Sequence, residues 1–221
     1  KSVSVYSRPE WTALVTRKDK GITKVADLKG KAVAVTRGTD PHIFLIRALA
    51  EAGLKEKDVK LVLLQHPDGR TALARGDVDA WAGLDPLMAA AEVEEGAILF
   101  HRKAENNTWG VLNTPVDFAA KNPEIVSRVI DVYERARLAA LKDIKPVTAA
   151  LVAVARLPEN VIAKQIERTD LSTSVIGKVQ ADAILAAGVA LQQAEVIKAD
   201  VDVKKHVDTL IEPKFTAKLK A

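Results

Sequence analysis

Ala32-Val33-Ala34-Val35-Thr36-Arg37-Gly38-Thr39-Asp40-Pro41-His42-Ile43-Phe44-Leu45-Ile46 sets the reading of the whole chain. Its first five residues are apolar and rich in β-formers, which suits a short buried strand. Gly38 permits a tight turn. Beyond it Ile43, Ile46, Leu49 and Leu54 recur at roughly helical spacing, with Pro41 in the first turn. The unit is therefore strand, turn, helix. A helix N-terminus at that turn offers free N–H groups and partial positive charge to an anion. Gly38 lets the backbone approach closely, Thr39 adds a hydroxyl, and Arg37 is able to pair in bidentate fashion with a sulfonate, phosphate or carboxylate. His42 completes the candidate set. The same spacing is satisfied if Thr39 or Asp40 is only an N-cap ahead of Pro41, and the sequence leaves both readings open.

Outward from this unit the alternation continues. On the N-terminal side Thr12-Ala13-Leu14-Val15-Thr16 reads as a strand, entering a turn through the charged residues 17–20 and Gly21. On the C-terminal side come a strand at 59–64, a loop through Pro67-Asp68-Gly69, and a helix from about 70 to 75. A strand at 78–82 follows, then Asp85-Pro86 opening an Ala-rich helix to Val93, and strands at 97–100 and 108–112. Strands alternating with helices predict an α/β fold with a mostly parallel sheet covered on both faces. After Pro115 the strand signals fade. Asn122-Pro123-Glu124 opens a long helix with Ile125, Val129, Ile130, Val132, Tyr133 and Leu138 on its apolar side. Further helices are predicted near 148–155, 158–166, 175–193 and 203–210. The organisation is an α/β lobe over 1–115 and C-terminal helices over 116–221, which would cover a sheet supplied by another part of the molecule.

The chain of 221 residues, 48% hydrophobic and 28% charged, is able to bury a core. Its longest apolar runs fall short of the roughly 20 residues of a membrane span. The formal charge of +4 does not argue for nucleic acid, because Lys and Arg alternate with Asp and Glu along nearly the whole chain. Only Lys214, Lys218 and Lys220 stand without acidic company, and no aromatics interleave them. Zero cysteines excludes disulfides, thiolate metal sites and cysteine nucleophiles. The four histidines, His42, His66, His101 and His206, share no metal-like spacing. Neither a P-loop nor a Gly-x-Gly-x-x-Gly turn occurs, so no nucleotide cofactor is expected, and no Ser lies in a Gly-x-Ser-x-Gly elbow.

Two further segments are candidates. In Asp77-Val78-Asp79-Ala80-Trp81-Ala82-Gly83-Leu84-Asp85-Pro86 a Trp and a Gly-containing turn end a predicted strand. Ligands of open parallel sheets lie at the carboxyl ends of strands, which nominates Trp81 and Asp85. Core packing for Trp81 and helix capping for Asp85 account for the same residues. Asn106-Asn107-Thr108-Trp109 places polar donors and an aromatic at a strand start.

Taken together and in order, Val25-Ala26-Asp27-Leu28-Lys29-Gly30, the turn 32–39, Ala48-Leu49-Ala50-Glu51-Ala52-Gly53-Leu54, Gly76 to Trp81 with Asp85-Pro86, and Asn122-Pro123-Glu124 resemble the periplasmic substrate-binding proteins of sulfonate, taurine and nitrate importers, a group that includes thiamine-pyrimidine-precursor binders. The resemblance implies a type II periplasmic-binding-protein fold, in which two α/β lobes close on a ligand about a hinge. It also implies no catalysis, a small organic anion as ligand, most simply an aliphatic sulfonate, and an ABC permease as partner. On this resemblance Gly38 and Thr39 face the sulfonate, Trp81 and Asp85 line the cleft, and Asn107 and Trp109 sit near the hinge. Family members carry an export signal and the leading strands of lobe one ahead of the segment that begins here near Glu10-Trp11. The chain is accordingly expected to start at the crossover into the second lobe.

Other readings stay in play: a same-fold ligand-sensing domain, a truncated fragment that binds nothing, and an enzyme of the pyrimidine-synthase type. The desulfinase relatives use a cysteine nucleophile, which this chain lacks. Sulfonate, taurine, nitrate and a neutral pyrimidine all suit a cleft of N–H donors with an aromatic wall.

Overall fold

A computed structural model describes residues 1–219, so the expectation for Lys220 lies outside the described residues. The elements are β1 (Ser2–Pro9), β2 (Thr12–Thr16), β3 (Ala32–Val35), α1 (Asp40–Glu51), β4 (Lys60–Leu63), α2 (His66–Arg75), β5 (Ala80–Leu84), α3 (Leu87–Glu95) and β6 (Ile98–His101). There follow β7 (Gly110–Asn113), α4 (Val116–Lys121), α5 (Pro123–Lys142), α6 (Lys145–Ala155), α7 (Glu159–Ile166), β8 (Thr169–Asp170), α8 (Lys178–Gln193) and α9 (Val203–Leu210).

Five strands form one sheet in the order β4-β3-β5-β2-β6. Period-two alternation sends successive side chains to opposite faces, and both faces are covered. Leu14, Val33, Val35, Ala80 and Ala82 pack with Phe44, Leu45 and Leu49 of α1 on one face. Ala13, Val15, Ala34 and Trp81 pack with Leu73 of α2 and Met88 of α3 on the other. Each large apolar side chain so buried contributes roughly 1.5–3 kcal/mol of transfer free energy.

Four of the five strands, β3, β4, β5 and β6, run the same way, as expected of a mostly parallel sheet, and β2 is reversed. β3 is parallel to β4 and β5, whereas β2 is antiparallel to both β5 and β6. The reason is connectivity. β2 enters the sheet from β1 and β6 leaves it toward β7, so these two strands run in opposite directions along a shared edge. Because Thr12 at the start of β2 pairs with Leu84 at the end of β5, the carboxyl ends of β3, β4, β5 and β6 all lie on the side of these two crossings.

Beyond the crossings β1 is central to a three-stranded sheet, β7-β1-β8. Val3 of β1 packs with Val126 and Ile130 of α5 and with Phe215 and Leu219. The sequence reading had no strand at 2–9, and both faces of β1 are largely buried there, serines included. Elsewhere α2 begins at His66, so Pro67-Asp68-Gly69 is helical rather than loop, with Pro67 in the first turn where its missing N–H costs nothing. Lys214 has acidic company after all: its Nζ lies 3.8 Å from Glu212. On α5 the expected apolar side divides. Ile130 is buried, while Ile125, Val129, Val132, Tyr133 and Leu138 are all more than two-fifths exposed. Among the described residues no helix is long and apolar enough to cross a membrane.

Candidate ligand-binding cleft

The carboxyl edge of the five-stranded sheet brings the starts of α1 and α2 next to the crossings. Thr39 occupies the N-cap of α1 in extended conformation, yet its hydroxyl donates to the Thr36 carbonyl at 2.6 Å instead of capping the helix. The first-turn N–H groups of α1 have no intrahelical partners, as in any helix. Gly38 has φ +77°, the left-handed conformation that a side chain disfavours. Its N–H donates to His42 Nδ1 at 3.1 Å, and that contact fixes the tautomer, so Nε2–H donates to Glu56 Oε1 at 2.6 Å. His42 is fully buried and both ring nitrogens are engaged. It therefore holds the turn from behind rather than touching a ligand. Arg37 turns away as well, donating through Nη2 to the Ala194 carbonyl at the end of α8, 2.9 Å away.

Residues between and across these helix starts complete the wall. Thr36 Oγ1 donates to the Leu64 carbonyl at 2.7 Å and lies 3.2 Å from His66 Nδ1. The hydroxyl has one proton, so His66 Nδ1–H is the donor and Nε2 keeps its lone pair. Burial lowers the His66 pKa, against the pull of nearby Asp40, which favours the neutral ring. Asp40 Oδ1 accepts from Thr108 Oγ1 at 2.9 Å. Burial raises the Asp40 pKa, and the Thr108 hydrogen bond and His66 offset this only in part. From the other sheet comes Tyr6 of β1. Its ring centroid lies 6.5 Å from that of Tyr133 on α5, and its hydroxyl is pushed up by burial, by Tyr133 and by the Asp40 charge. Tyr6 closes over Gly110, where a Cβ would stand 2.7 Å from the phenol ring. Next to it Trp109 carries the Arg8 guanidinium 4.9 Å above its ring.

Three further sequence candidates are taken up by contacts within the protein. Trp81 is 1% exposed and forms part of the core under α2 and α3. Its indole lies so close to Gly69 that a Cβ there would stand 2.7 Å from Nε1. Asp85 is buried in an ion pair. It accepts from Arg168 Nε at 2.7 Å and Nη2 at 3.1 Å, and from the Ala89 N–H at 2.9 Å. Arg168 also reaches Glu92 at 2.7 Å. Burial alone would lower the Arg168 pKa, but the two carboxylates outweigh it and raise it, while burial raises the Asp85 pKa against the pull of Arg168. Asn107 is at the crossing as expected, but every polar atom of its side chain is spent there. Oδ1 accepts from the Thr12 N–H and hydroxyl at 2.9 and 3.0 Å, and Nδ2 donates to the Thr12 and Lys103 carbonyls.

Of the residues singled out from sequence, Gly38, Thr39 and Trp109 remain around the cleft. Asp40, His66, Thr108 and Tyr6 join them. Asp40 and Thr108 stood inside quoted motifs, whereas the cue for Tyr6 would have been the missed strand β1. Among the described residues no cluster of His, Cys, Asp and Glu is arranged to hold a metal ion.

A two-sheet α/β chain whose strand ends face a hinge is the architecture of a periplasmic binding protein, and comparison with known proteins agrees. Residues 1–149 match the NMT1/THI5-like family, and the chain belongs to it. An Escherichia coli (strain K12) protein described as aliphatic sulfonates-binding is 30% identical over 167 residues, covering 75% of this chain and 52% of its own length. The taurine-binding periplasmic protein of the same organism is 36% identical over 119 residues, covering 52% of this chain and 36% of its own length. The chain thus spans about half the length, or less, of these curated relatives. The crystal structure of the periplasmic aliphatic sulphonate binding protein SsuA from Escherichia coli superposes with a TM-score of 0.81 at 27% identity, over 92% of this chain and 67% of that one. The desulfurization enzyme DSZB shares the fold at 17% identity with a TM-score of 0.73, over 97% of this chain and 77% of that one.

Proposed function

We propose that this chain is the substrate-binding component of an ABC importer, working in the periplasm, and that it captures a small organic anion of the aliphatic sulfonate class for the membrane permease. The observation that carries this reading is the convergence of the α1 and α2 starts on one polar wall, tied together through Thr36 and faced by Tyr6 across the crossings. Two helix starts supply N–H donors and partial positive charge to a compact anion without demanding a bond-making group. The names of the relatives add the ligand class and the transport role. In this reading the five-stranded sheet with α1, α2 and α3 is one lobe, the sheet β7-β1-β8 with the C-terminal helices forms the other wall, and binding energy goes into closure about the crossings at 9–12 and 102–109.

Calorimetric titration of the chain with alkanesulfonates, taurine, nitrate and sulfate tests the proposal. One sulfonate is expected to bind saturably, and Thr39→Ala and Tyr6→Ala are each expected to weaken it. Absence of binding by the folded protein to every member of the panel would overturn the reading.

A further inference from the structure

Asp40 is out of place in a site built only for an anion. The other partly buried aspartates of this lobe have backbone or cationic partners. Asp27 accepts from the Thr23 and Lys24 N–H groups, Asp58 from the Lys55 N–H, and Asp79 from the Ala32 N–H with Lys20 beside it. Asp85 has Arg168. Asp40 is the first residue of α1, one place inside the Thr39 N-cap, so it meets the partial positive charge of the helix start but caps no backbone N–H, unlike the N-cap Asp202, which accepts from Lys205 at 2.9 Å at the start of α9. Instead its only hydrogen bond among the described residues comes from the Thr108 hydroxyl, and it forms no ion pair there. Arg8 is engaged over Trp109. Half-buried carboxylates lacking a cation are costly, so the group is set up to receive one.

Its neighbours point the same way. His66 gives its Nδ1–H to Thr36 and offers only a lone pair beyond it. Tyr6 and Tyr133 present two adjacent rings, 38% and 45% exposed, whose faces attract a cation. Alongside the N–H donors of the helix starts, the cleft therefore has a second pole made of acceptors and π-faces.

The geometry points to Asp40 as a specificity-determining residue that accepts an ammonium group, so that the cleft selects zwitterionic amino-sulfonates over alkanesulfonates that lack the amine. This inference rests on the sulfonate-binding reading above and narrows it.

Taurine and 1-propanesulfonate form the deciding pair, since they differ by an ammonium in place of a methyl group of nearly equal size. The full chain is expected to bind taurine about tenfold or more tightly than 1-propanesulfonate, the margin of one hydrogen bond to a charged group. Asp40→Asn, nearly isosteric and uncharged, is expected to abolish that margin by weakening taurine about tenfold or more relative to 1-propanesulfonate. Equal or tighter binding of 1-propanesulfonate by the unaltered chain overturns the inference and leaves the sulfonate reading intact. Retention of the full taurine preference by Asp40→Asn overturns it too. Failure of both ligands to bind, with the other sulfonates also silent, overturns the parent reading and this one with it.

Discussion

At neutral pH the Asp40 carboxylate is partly withdrawn from water with one hydroxyl as its hydrogen-bonding partner. Burial raises its pKa above the ordinary value of 3.8, so the folded chain binds that proton more tightly than the unfolded chain does. Stability from this group must therefore fall as pH rises from about 3.8 through the raised value, and the loss is complete above it. Asp40→Asn carries no such loss. The variant is expected to melt at a higher temperature than the parent at pH 7, with the difference vanishing below about pH 4, as differential scanning calorimetry across pH would show. A purely structural aspartate would give the opposite sign. The residue scale is also where sequence reading failed most often. Asp85 follows the carboxyl end of β5 but is taken up by Arg168, and Trp81, the second residue of that strand, is packed against Gly69. Arg168 lies 83 residues from Asp85 along the chain, a separation at which no local pattern carries the pairing.

At the scale of elements the reading was more successful, for physical reasons. β2 and most of β3 stand out because they are buried on both faces and so read as uninterrupted apolar runs. β1 escaped notice because Ser2, Ser4 and Ser7 interrupt its apolar residues, and these serines are buried with partners of their own, such as Asn113 and the Ser174 carbonyl. The start of α2 was hidden by Pro67 and Gly69, two residues that normally break helices. Here Gly69 is required by packing, since the indole of Trp81 occupies the space of a Cβ. Gly69→Ala is accordingly expected to destabilise the protein by about 1–3 kcal/mol through displacement of Trp81, despite the higher helix propensity of alanine. Urea denaturation with Trp81 near-ultraviolet dichroism as the probe would show both the loss and its site.

On the scale of the whole molecule two sheets are held together at a few points near the crossings. Arg168 is the busiest of these. Its carbonyl accepts from the Glu10 N–H at 2.8 Å, β8 follows it and pairs with β1, and its guanidinium grips Asp85 and Glu92 in the five-stranded lobe. Arg168→Ala leaves two carboxylates buried against each other without a cation, which is expected to cost about 3–5 kcal/mol. Hydrogen exchange at the Glu10 amide is expected to accelerate more than at amides of β3, because the loss falls on the joint and not on the core. Asn107, in the second crossing, makes three of its four contacts to Thr12 in the first and so ties the two strands of the joint together. This distribution of side chains also gives the chain an optical gauge. Of its three tryptophans, Trp81 is locked in the core, whereas Trp11 and Trp109 each stand at one crossing. The Trp11 indole N–H is buried without a partner among the described residues, and Trp109 lies under a guanidinium charge. Any swing of one sheet against the other alters the electric field at those two indoles and spares the third, so emission colour reports the angle of the joint against a built-in reference.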